Sequence, residues 1–286
     1  MRRPLEPELT RTLPELIRAT HPIPATSVTL IVAALMLARE GQPAALAWGI
    51  ASTAAGQASV GWSNDYLDRR RDAAAGRWEK PLVAGTLSPR VVIMSAVVAF
   101  AFSAALTVPL GAAATWVMVS AVSSAWAYNF GLKGTVLSWL PYAVSFGLLP
   151  VFVWLATPGG EVPPPWIVAG ASLLGVAGHL MNVLPDLERD RGAGYRGLPH
   201  ILGSRGSLVL ACLVLAVMFT VVLVAIEIWN DPSFAQVTAA TAAAVLVVSV
   251  AWSGLRGRRQ LGFLLTIAAA AAIVVTLVLS PETLQT

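Results

Sequence analysis

The chain has 286 residues, of which 56% are hydrophobic and only 12% charged, and its mean hydropathy is +0.71. Soluble domains carry about 25% charged residues, so this composition excludes an ordinary soluble globular protein and favours a polytopic membrane protein. The formal net charge of +4 gives no reason to expect a nucleic-acid partner, because the basic residues lie between apolar runs.

Apolar runs of membrane-spanning length predict an all-α fold with nine transmembrane helices. The first predicted element is a short interfacial helix over residues 5–19, with its leucines on one face. The spans follow at 23–38, 43–63, 91–109, 112–129, 135–157, 165–185, 206–229, 233–254 and 260–280. Together they predict a single integral-membrane domain over residues 1–286.

The basic residues predict the orientation of these spans. If the N-terminus and the loops after the second, fourth, sixth and eighth spans share one side, all 19 Lys and Arg residues except Arg39 lie on that side. The positive-inside rule makes that side cytoplasmic. We therefore predict a multi-pass protein of the cytoplasmic (plasma) membrane, embedded in the lipid bilayer, with residues 1–20 as a cytoplasmic or interfacial N-terminal segment.

Two acidic clusters lie where the second and sixth spans end on the predicted cytoplasmic side. They contain Asn64, Asp65, Asp68 and Asp72, and Asn182, Asp186 and Asp190. Both have the spacing Asn-x3-Asp-x3-Asp, and residues four apart share a helix face. Carboxylates are costly near lipid. Two matching stripes therefore predict a functional site, with cytoplasmic active-site loops at 64–90 and 186–205.

The sequence that follows each cluster is also repeated. Lys80-Pro-Leu-Val-Ala-Gly85 follows the first cluster, and Arg196-Gly-Leu-Pro-His-Ile-Leu-Gly203 follows the second. An acidic helix end, a basic linker and a glycine-bearing turn thus occur twice, four predicted helices apart. This pattern predicts two pseudo-repeated four-helix halves with a ninth helix added.

The residue types in and around the clusters indicate a magnesium–diphosphate site. Four carboxylates at close quarters repel one another unless a cation lies between them. Carboxylate and amide oxygens are hard ligands suited to Mg²⁺, which also binds phosphates. The neighbouring cations suit a multiply charged anion; they are Arg69, Arg70, Arg71, Arg77, Lys80, Arg189, Arg191 and Arg196. In a membrane protein this combination points to a diphosphate headgroup carrying a lipid tail.

These residues resemble the motifs of a known family. Asn64-Asp65-Tyr66-Leu67-Asp68-Arg69-Arg70-Arg71-Asp72 resembles the N-D-x-x-D-x-x-x-D motif of the UbiA superfamily of intramembrane prenyltransferases. Asp186-Leu187-Glu188-Arg189-Asp190 resembles its second motif, D-x-x-x-D. Residues 80–88 are similar to the stretch that follows the first motif. Tyr128 and Lys133 fall where members carry a tyrosine and then a lysine.

The resemblance implies Mg²⁺-dependent transfer of a prenyl group from a prenyl diphosphate to a small-molecule acceptor, commonly an aromatic or quinone-precursor compound. The implied catalytic and metal-binding residues are Asp68, Asp72, Asp186 and Asp190, with Asn64 as a further metal ligand. The implied diphosphate-binding residues are Asn64, Asp65, Arg77, Lys80, Lys133 and Arg196. The acceptor or carbocation pocket is expected to include Gln57, Tyr128, Tyr142 and Asn182.

Other activities stay open at this point. Phosphoribosyl transfer to a polyprenyl phosphate and terpene cyclisation use the same motifs within the superfamily. Gln57 stands where hydroxybenzoate-type members tend to carry arginine, and Lys133-Gly134 stands where a basic pair often follows helix four, so the resemblance does not assign 4-hydroxybenzoate as the acceptor. Outside the superfamily, the alternative is a membrane transporter. A transporter would hold its acids near the bilayer midplane, whereas the first cluster runs directly into an arginine-rich segment.

Overall fold

The computed structural model describes residues 8–192 and 194–285, and the regular secondary structure of this part of the chain is all helical, without strands. The helices are α1 (Glu8–Arg18), α2 (Pro22–Ala38), α3 (Pro43–Ala74), α4 (Pro81–Ala84), α5 (Pro89–Thr107), α6 (Ala112–Phe130), α7 (Leu140–Ala156), α8 (Pro165–Val183), α9 (Leu187–Gly192), α10 (Leu198–Ala225), α11 (Phe234–Leu255), α12 (Arg259–Val278) and α13 (Pro281–Gln285). The prediction of an all-α fold is confirmed.

The long helices coincide with the predicted spans. By length and hydropathy, six helical segments of the described chain can cross a membrane, or up to seven when α1 and α2 count as one bent span. The two long helices outside this set are α3 and α6. Hydroxyl, glycine and charged residues lower the hydropathy of α3, and Ser, Trp, Tyr and Asn residues lower that of α6. The multi-pass membrane character is therefore confirmed, and the count of nine spanning helices stays a prediction.

The α1 helix lies across the start of α2, with a bend of 71° between the two. It matches the described part of the predicted interfacial helix; residues 5–7 lie outside the described residues. Leu16 and the buried Ala19 pack against Leu87 and Val92, whereas Leu13, one turn earlier, is exposed. The interfacial position of this helix stays a prediction.

Small residues allow the neighbours of α3 to approach closely. A Cβ added at Gly56 would lie 2.9 Å from Val122 of α6. The Ser59 hydroxyl donates to the Ala96 carbonyl of α5 at 2.8 Å, and the Ser103 hydroxyl donates back to the Ser52 carbonyl at 2.8 Å. Small residues and hydroxyl bonds of this kind join helices in membranes, where the hydrophobic effect does not drive helix association. They hold α3 rigidly within the bundle.

The helices form one connected bundle. Adjacent pairs pack along the chain, notably α3 with α5, α7 with α8, and α11 with α12. The last long helix, α12, packs against α2 and α8 as well as α11, which brings the two ends of the chain together. The helices that carry the acidic clusters, α3 and α8, end on the same side of this bundle.

Arg39, the one basic residue predicted on the far side, lies at the opposite end of α2 from His21 and is buried. Its guanidinium donates to the Thr157 hydroxyl at 3.1 Å, to the Pro158 carbonyl at 3.2 Å and to the Leu284 carbonyl. It also lies 4.5 Å from the centre of the Trp154 ring. A single side chain thus joins the end of α2 to the α7–α8 connection and to α13.

We expect Arg39→Met to lower the free energy of unfolding by roughly 2 kcal/mol or more, because two buried acceptors and the Pro158 carbonyl lose a charged donor. Thermal unfolding in detergent micelles measures the effect. The matched control is Arg90→Met, since Arg90 is exposed. Equal melting temperatures for the two variants would contradict the assigned role of Arg39.

Candidate functional site

The first acidic cluster lies on a helix rather than in a loop. The α3 helix continues past the predicted end of its span to Ala74. Its last three turns therefore carry Asn64, Asp65, Asp68 and Asp72. The chain then turns at Gly76, which has a φ of +68°, a value that favours glycine. This turn brings residues 77–80 back alongside the cluster, which is how a linker close in sequence reaches the carboxylates.

The second cluster departs from the predicted single helix face. The α8 helix ends at Val183, a 3₁₀ turn covers Leu184–Asp186, and α9 begins at Leu187. Pro185 lies in this turn; it has no N–H to donate and its ring crowds the preceding helical turn. Residues 165–192 thus form one helical segment with a short 3₁₀ turn inside the second cluster. Asn182, Asp186 and Asp190 have different partners, which are Tyr142, Arg77 and His200.

Lys80 lies between two carboxylates of the first cluster. Its ammonium donates to Asp65 Oδ1 at 2.8 Å and to Asp72 Oδ2 at 2.8 Å. Burial lowers the pKa of Lys80, but the charges of Asp65 and Asp72 outweigh this effect and leave that pKa raised above its usual value. Lys80 is therefore charged at neutral pH, and one of its three N–H donors remains for a ligand.

Arg77 joins the two acidic clusters. One terminal nitrogen of its guanidinium donates to Asp72 Oδ1 at 3.2 Å, and the other donates to Asp186 Oδ2. These carboxylates raise the pKa of Arg77 against the lowering effect of burial. Asp186 also accepts from Arg189 at 3.0 Å. The prediction that the two clusters face each other thus agrees with a direct bridge between α3 and the end of α8.

Asp68 lies in a separate ion-pair group. The Lys133 ammonium donates to both of its oxygens, at 2.6 Å for Oδ1. The Tyr195 hydroxyl donates to Asp68 Oδ1 at 3.3 Å and accepts from Arg71, whose guanidinium lies 4.7 Å from the Tyr195 ring centre. Burial lowers the pKa of Lys133, and the single carboxylate of Asp68 does not fully restore it. Burial and Asp68 together raise the pKa of Tyr195 to about 12, so its hydroxyl keeps its proton.

The remaining predicted polar residues lie at the margin of these groups. The Asn64 amide donates to Asn129 Oδ1 at 3.1 Å, and Asn129 in turn donates to Ser63 and to the Val60 carbonyl. Asp190 lies 3.9 Å from His200 Nε2. Arg196 is exposed and is anchored through its backbone N–H, which donates to the Gly134 carbonyl at 3.2 Å.

An aromatic cluster adjoins the charged groups. The Tyr142 ring lies 5.1 Å from the Tyr128 ring and 4.8 Å from the ring of the fully buried His179. The Asn182 amide donates to the Tyr142 hydroxyl at 3.3 Å. The structure therefore groups three of the four residues expected in the acceptor pocket, and it adds His179.

Gln57, the fourth of these residues, lies two turns deeper along α3. It lines a cavity of about 40 Å³ among α2, α3, α6 and α7. The other lining residues are mainly apolar, and they include Met118, Val122, Phe146 and Leu149. Phe146 stacks on Tyr142 with ring centres 6.3 Å apart, so the cavity adjoins the aromatic cluster.

The predicted metal-binding residues form ion pairs with basic side chains. Among the described residues, no three acidic, His or Cys side chains are gathered in a metal-binding arrangement. Lys80 and Arg77 instead lie between pairs of carboxylates, and Lys133 pairs with Asp68. The donor set nevertheless consists of hard oxygen ligands from both clusters, which is the chemistry that Mg²⁺ takes. The Nε of Arg77 is buried without a hydrogen-bond partner, so the pairing around this bridge is incomplete.

Several residues of the site carried no recognisable signal in the sequence. These are His21, Asn129, Ser138, Tyr195 and His200. The Ser138 hydroxyl links three elements, because it contacts His179 Nε2 at 3.0 Å and accepts from the Leu198 N–H at 2.9 Å. The one indirect signal was for Tyr195, which lies in the basic linker after the second cluster.

Comparisons with known proteins agree with this architecture. The model of the UbiA prenyltransferase family matches residues 27–259. A digeranylgeranylglyceryl phosphate synthase from Halobacterium salinarum is 28% identical over 201 residues, which cover 70% of this chain and 72% of that protein.

Solved structures of UbiA homologues share the fold. The apo form of one from Aeropyrum pernix K1 has a TM-score of 0.73 at 22% identity, covering 88% of this chain and 96% of that one. One from Archaeoglobus fulgidus, bound to DMAPP and Mg²⁺, has a TM-score of 0.65 at 17% identity, covering 91% of this chain and 99% of that one. The similarity therefore extends over nearly the whole described bundle.

We expect Lys80→Gln to lower the free energy of unfolding by about 1–3 kcal/mol at neutral pH, because the buried Asp65 loses its charged donor. The folded-state pKa of Lys80 is raised above its usual 10.5, so this stabilisation is complete below pH 10.5 and is lost as the pH rises through the folded-state pKa. Unfolding curves of the wild type and of Lys80→Gln are compared at neutral pH and above pH 11. The difference between their free energies of unfolding should be smaller at the higher pH. Arg205→Gln, which changes an exposed cation, is the control; a pH-independent difference would contradict the assignment.

Proposed function

The chain belongs to the UbiA prenyltransferase family, and we propose that it transfers a prenyl group from a prenyl diphosphate to an acceptor within the membrane. The observation that carries this proposal is the meeting of both acidic clusters at one end of an apolar bundle, joined by Arg77 and flanked by buried lysines. A diphosphate needs cations, and a prenyl tail needs an apolar environment. This end of the bundle supplies both.

Mg²⁺ is the cofactor that suits the site. The residues that would hold it are Asp68, Asp72, Asp186 and Asp190, with Asn64 as a further ligand. Arg77 already lies between Asp72 and Asp186 and acts there as a stand-in for a bridging cation. When bound, Mg²⁺ would neutralise charge on the diphosphate and make it a better leaving group. The Archaeoglobus fulgidus homologue bound to DMAPP and Mg²⁺ supports this assignment.

The basic side chains of this chain bind and stabilise the diphosphate. Lys80, Lys133 and Arg77 are partly or fully removed from water, so their N–H groups interact strongly with phosphate oxygens. The exposed Arg196 completes the set, and Asp65 acts through Lys80. As the allylic carbon–oxygen bond breaks, its electron pair leaves with the diphosphate, and these donors stabilise the growing negative charge.

The aromatic cluster stabilises the other product of that ionisation. Tyr128 and Tyr142 present ring faces and edges next to the charged groups, and aromatic faces attract cations. The allylic cation is then captured by the acceptor nucleophile, which forms the new carbon bond and loses a proton. Asn182, through Tyr142, and the Gln57 amide supply polar contacts for the acceptor.

The site has a direction in the membrane. We assign the end of the bundle that carries the acidic clusters to the cytoplasmic face of the plasma membrane, because every Lys and Arg except Arg39 belongs to that side by the predicted topology. Residues 1–286 form a single catalytic domain in this proposal. Arg39 lies at the other end of α2, as the same topology requires.

We expect purified protein to release diphosphate from geranyl diphosphate only when Mg²⁺ and an acceptor are both present. Asp68→Ala and Asp190→Ala should each lower the rate by about 100-fold or more. Each variant removes a carboxylate that would hold the Mg²⁺ that stabilises the leaving diphosphate. The matched control is Glu188→Ala, because Glu188 lies between Asp186 and Asp190 in sequence but pairs with Arg191. Full activity in either Asp variant, or loss of activity in the Glu188→Ala control, would contradict the assignment of these residues to the site.

The acceptor is identified by product analysis. Donors of increasing chain length are incubated with a phenolic or quinone-precursor acceptor and, in parallel, with a prenylated glyceryl phosphate, the class named by the Halobacterium salinarum relative. Because the aromatic cluster offers ring partners, we expect the prenylated aromatic product, detected by mass spectrometry. A glyceryl phosphate that has gained a second prenyl group, a phosphoribosylated lipid or a cyclised donor would each replace that assignment.

A further inference from the structure

The segment before α2 is part of the site, although it lies far from both acidic clusters in sequence. The Trp62 indole donates to the Leu16 carbonyl at 2.8 Å, and Arg18 donates to the Glu79 carbonyl at 3.1 Å. A Cβ added at Gly61 would lie 2.6 Å from the Thr20 carbonyl oxygen. Residues 16–20 therefore lie directly on α3 and on the linker that carries Lys80.

His21, the next residue, reaches into the first acidic cluster. Its Nε2 donates to Asp65 Oδ1 at 3.1 Å, and the Asp65 side chain is only 3% exposed whereas that of His21 is 43% exposed. Asp65 Oδ1 also accepts from Lys80. An exposed side chain thus supplies one of the two hydrogen bonds observed to a buried carboxylate.

The backbone of His21 indicates that this contact has a function. His21 has a φ of +55°, in the left-handed region that a non-glycine residue rarely adopts. It precedes the first residue of α2, but its side chain forms no capping bond to that helix. The imidazole contacts Asp65 instead. Outliers of this kind are kept where the surrounding structure uses them.

From His21 a continuous series of polar contacts crosses the site. Asp65 joins His21 to Lys80, Lys80 joins Asp65 to Asp72, and Arg77 joins Asp72 to Asp186. The N-terminal segment is thereby connected to both acidic clusters. A change at His21 acts first on Asp65 and then on the position of the Lys80 ammonium.

We propose that His21 is a positioning residue: it holds the Asp65 carboxylate so that Asp65 and Asp72 present the third N–H of Lys80 to the diphosphate. This inference rests on the proposed function, because it assumes that Lys80 binds a diphosphate. His21 itself touches neither substrate nor metal in this scheme. The hydrogen bond requires only the Nε2 donor, so a different side chain with an N–H at similar reach can replace it.

Binding of geranyl diphosphate in the presence of Mg²⁺, measured by calorimetry on the full-length protein in detergent, tests the proposal. We expect His21→Ala to raise the dissociation constant roughly five- to tenfold, and His21→Gln, which keeps an N–H donor, to stay within about twofold of wild type. Ser27→Ala is the matched control, because its hydroxyl bonds only the Ile23 carbonyl of its own helix.

A double variant separates positioning from general packing. In a Lys80→Ala background, His21→Ala should cause no additional loss of binding, because its effect passes through Lys80. Melting temperatures of all variants are recorded alongside.

The proposal is overturned if His21→Ala binds as wild type does, if His21→Gln is as weak as His21→Ala, or if the losses at His21 and Lys80 add. It is also overturned if weaker binding simply follows lower melting temperature. Wild-type protein that binds no prenyl diphosphate would contradict the proposed function as well. Tight wild-type binding combined with an unaffected His21→Ala contradicts only the role of His21.

Discussion

The structure depends on how several carboxylates are kept together at one end of an apolar bundle. Like charges at close range destabilise a fold unless cations lie between them. Here Lys80 separates Asp65 from Asp72, Arg77 separates Asp72 from Asp186, and Lys133 neutralises Asp68. The linker after α3 has to turn back at Gly76 to deliver two of these cations. The same cations are the groups that a diphosphate would bind, so stability and ligand binding use one set of contacts.

The bundle places charged and aromatic groups side by side, which is what an ionisation reaction requires. Breaking an allylic carbon–oxygen bond creates an anion and a carbocation at once. The lysines and Arg77 lie where the anion would form, and Tyr128, Tyr142 and His179 adjoin them on the membrane side. The small residues of α3 allow α5 and α6 to pack closely beneath this region, which limits the freedom of the site.

Each end of the α2 helix is fixed by one side chain. His21 bonds Asp65 at the end near the acidic clusters, and Arg39 bonds three acceptors at the other end. The His21 contact connects the N-terminal segment to the acidic clusters. The Arg39 contacts connect the other end of α2 to the α7–α8 connection and to α13. His21, the residue before α2, therefore contacts the buried carboxylate of the first cluster directly.

Sequence alone determined the fold class, the membrane character and the family motifs, because hydropathy, charge placement and short spacings are local properties of the chain. It also placed Lys80 and Lys133 among the site residues. The spacing of the second cluster predicts one helix face, but the sequence also carries the signal against it, because Pro185 lies inside that pattern and a proline interrupts a helix locally. His21, Asn129 and Tyr195 entered the site only through tertiary structure. Their partners are 44, 65 and 127 residues away in the chain, and no local pattern encodes contacts at such separations.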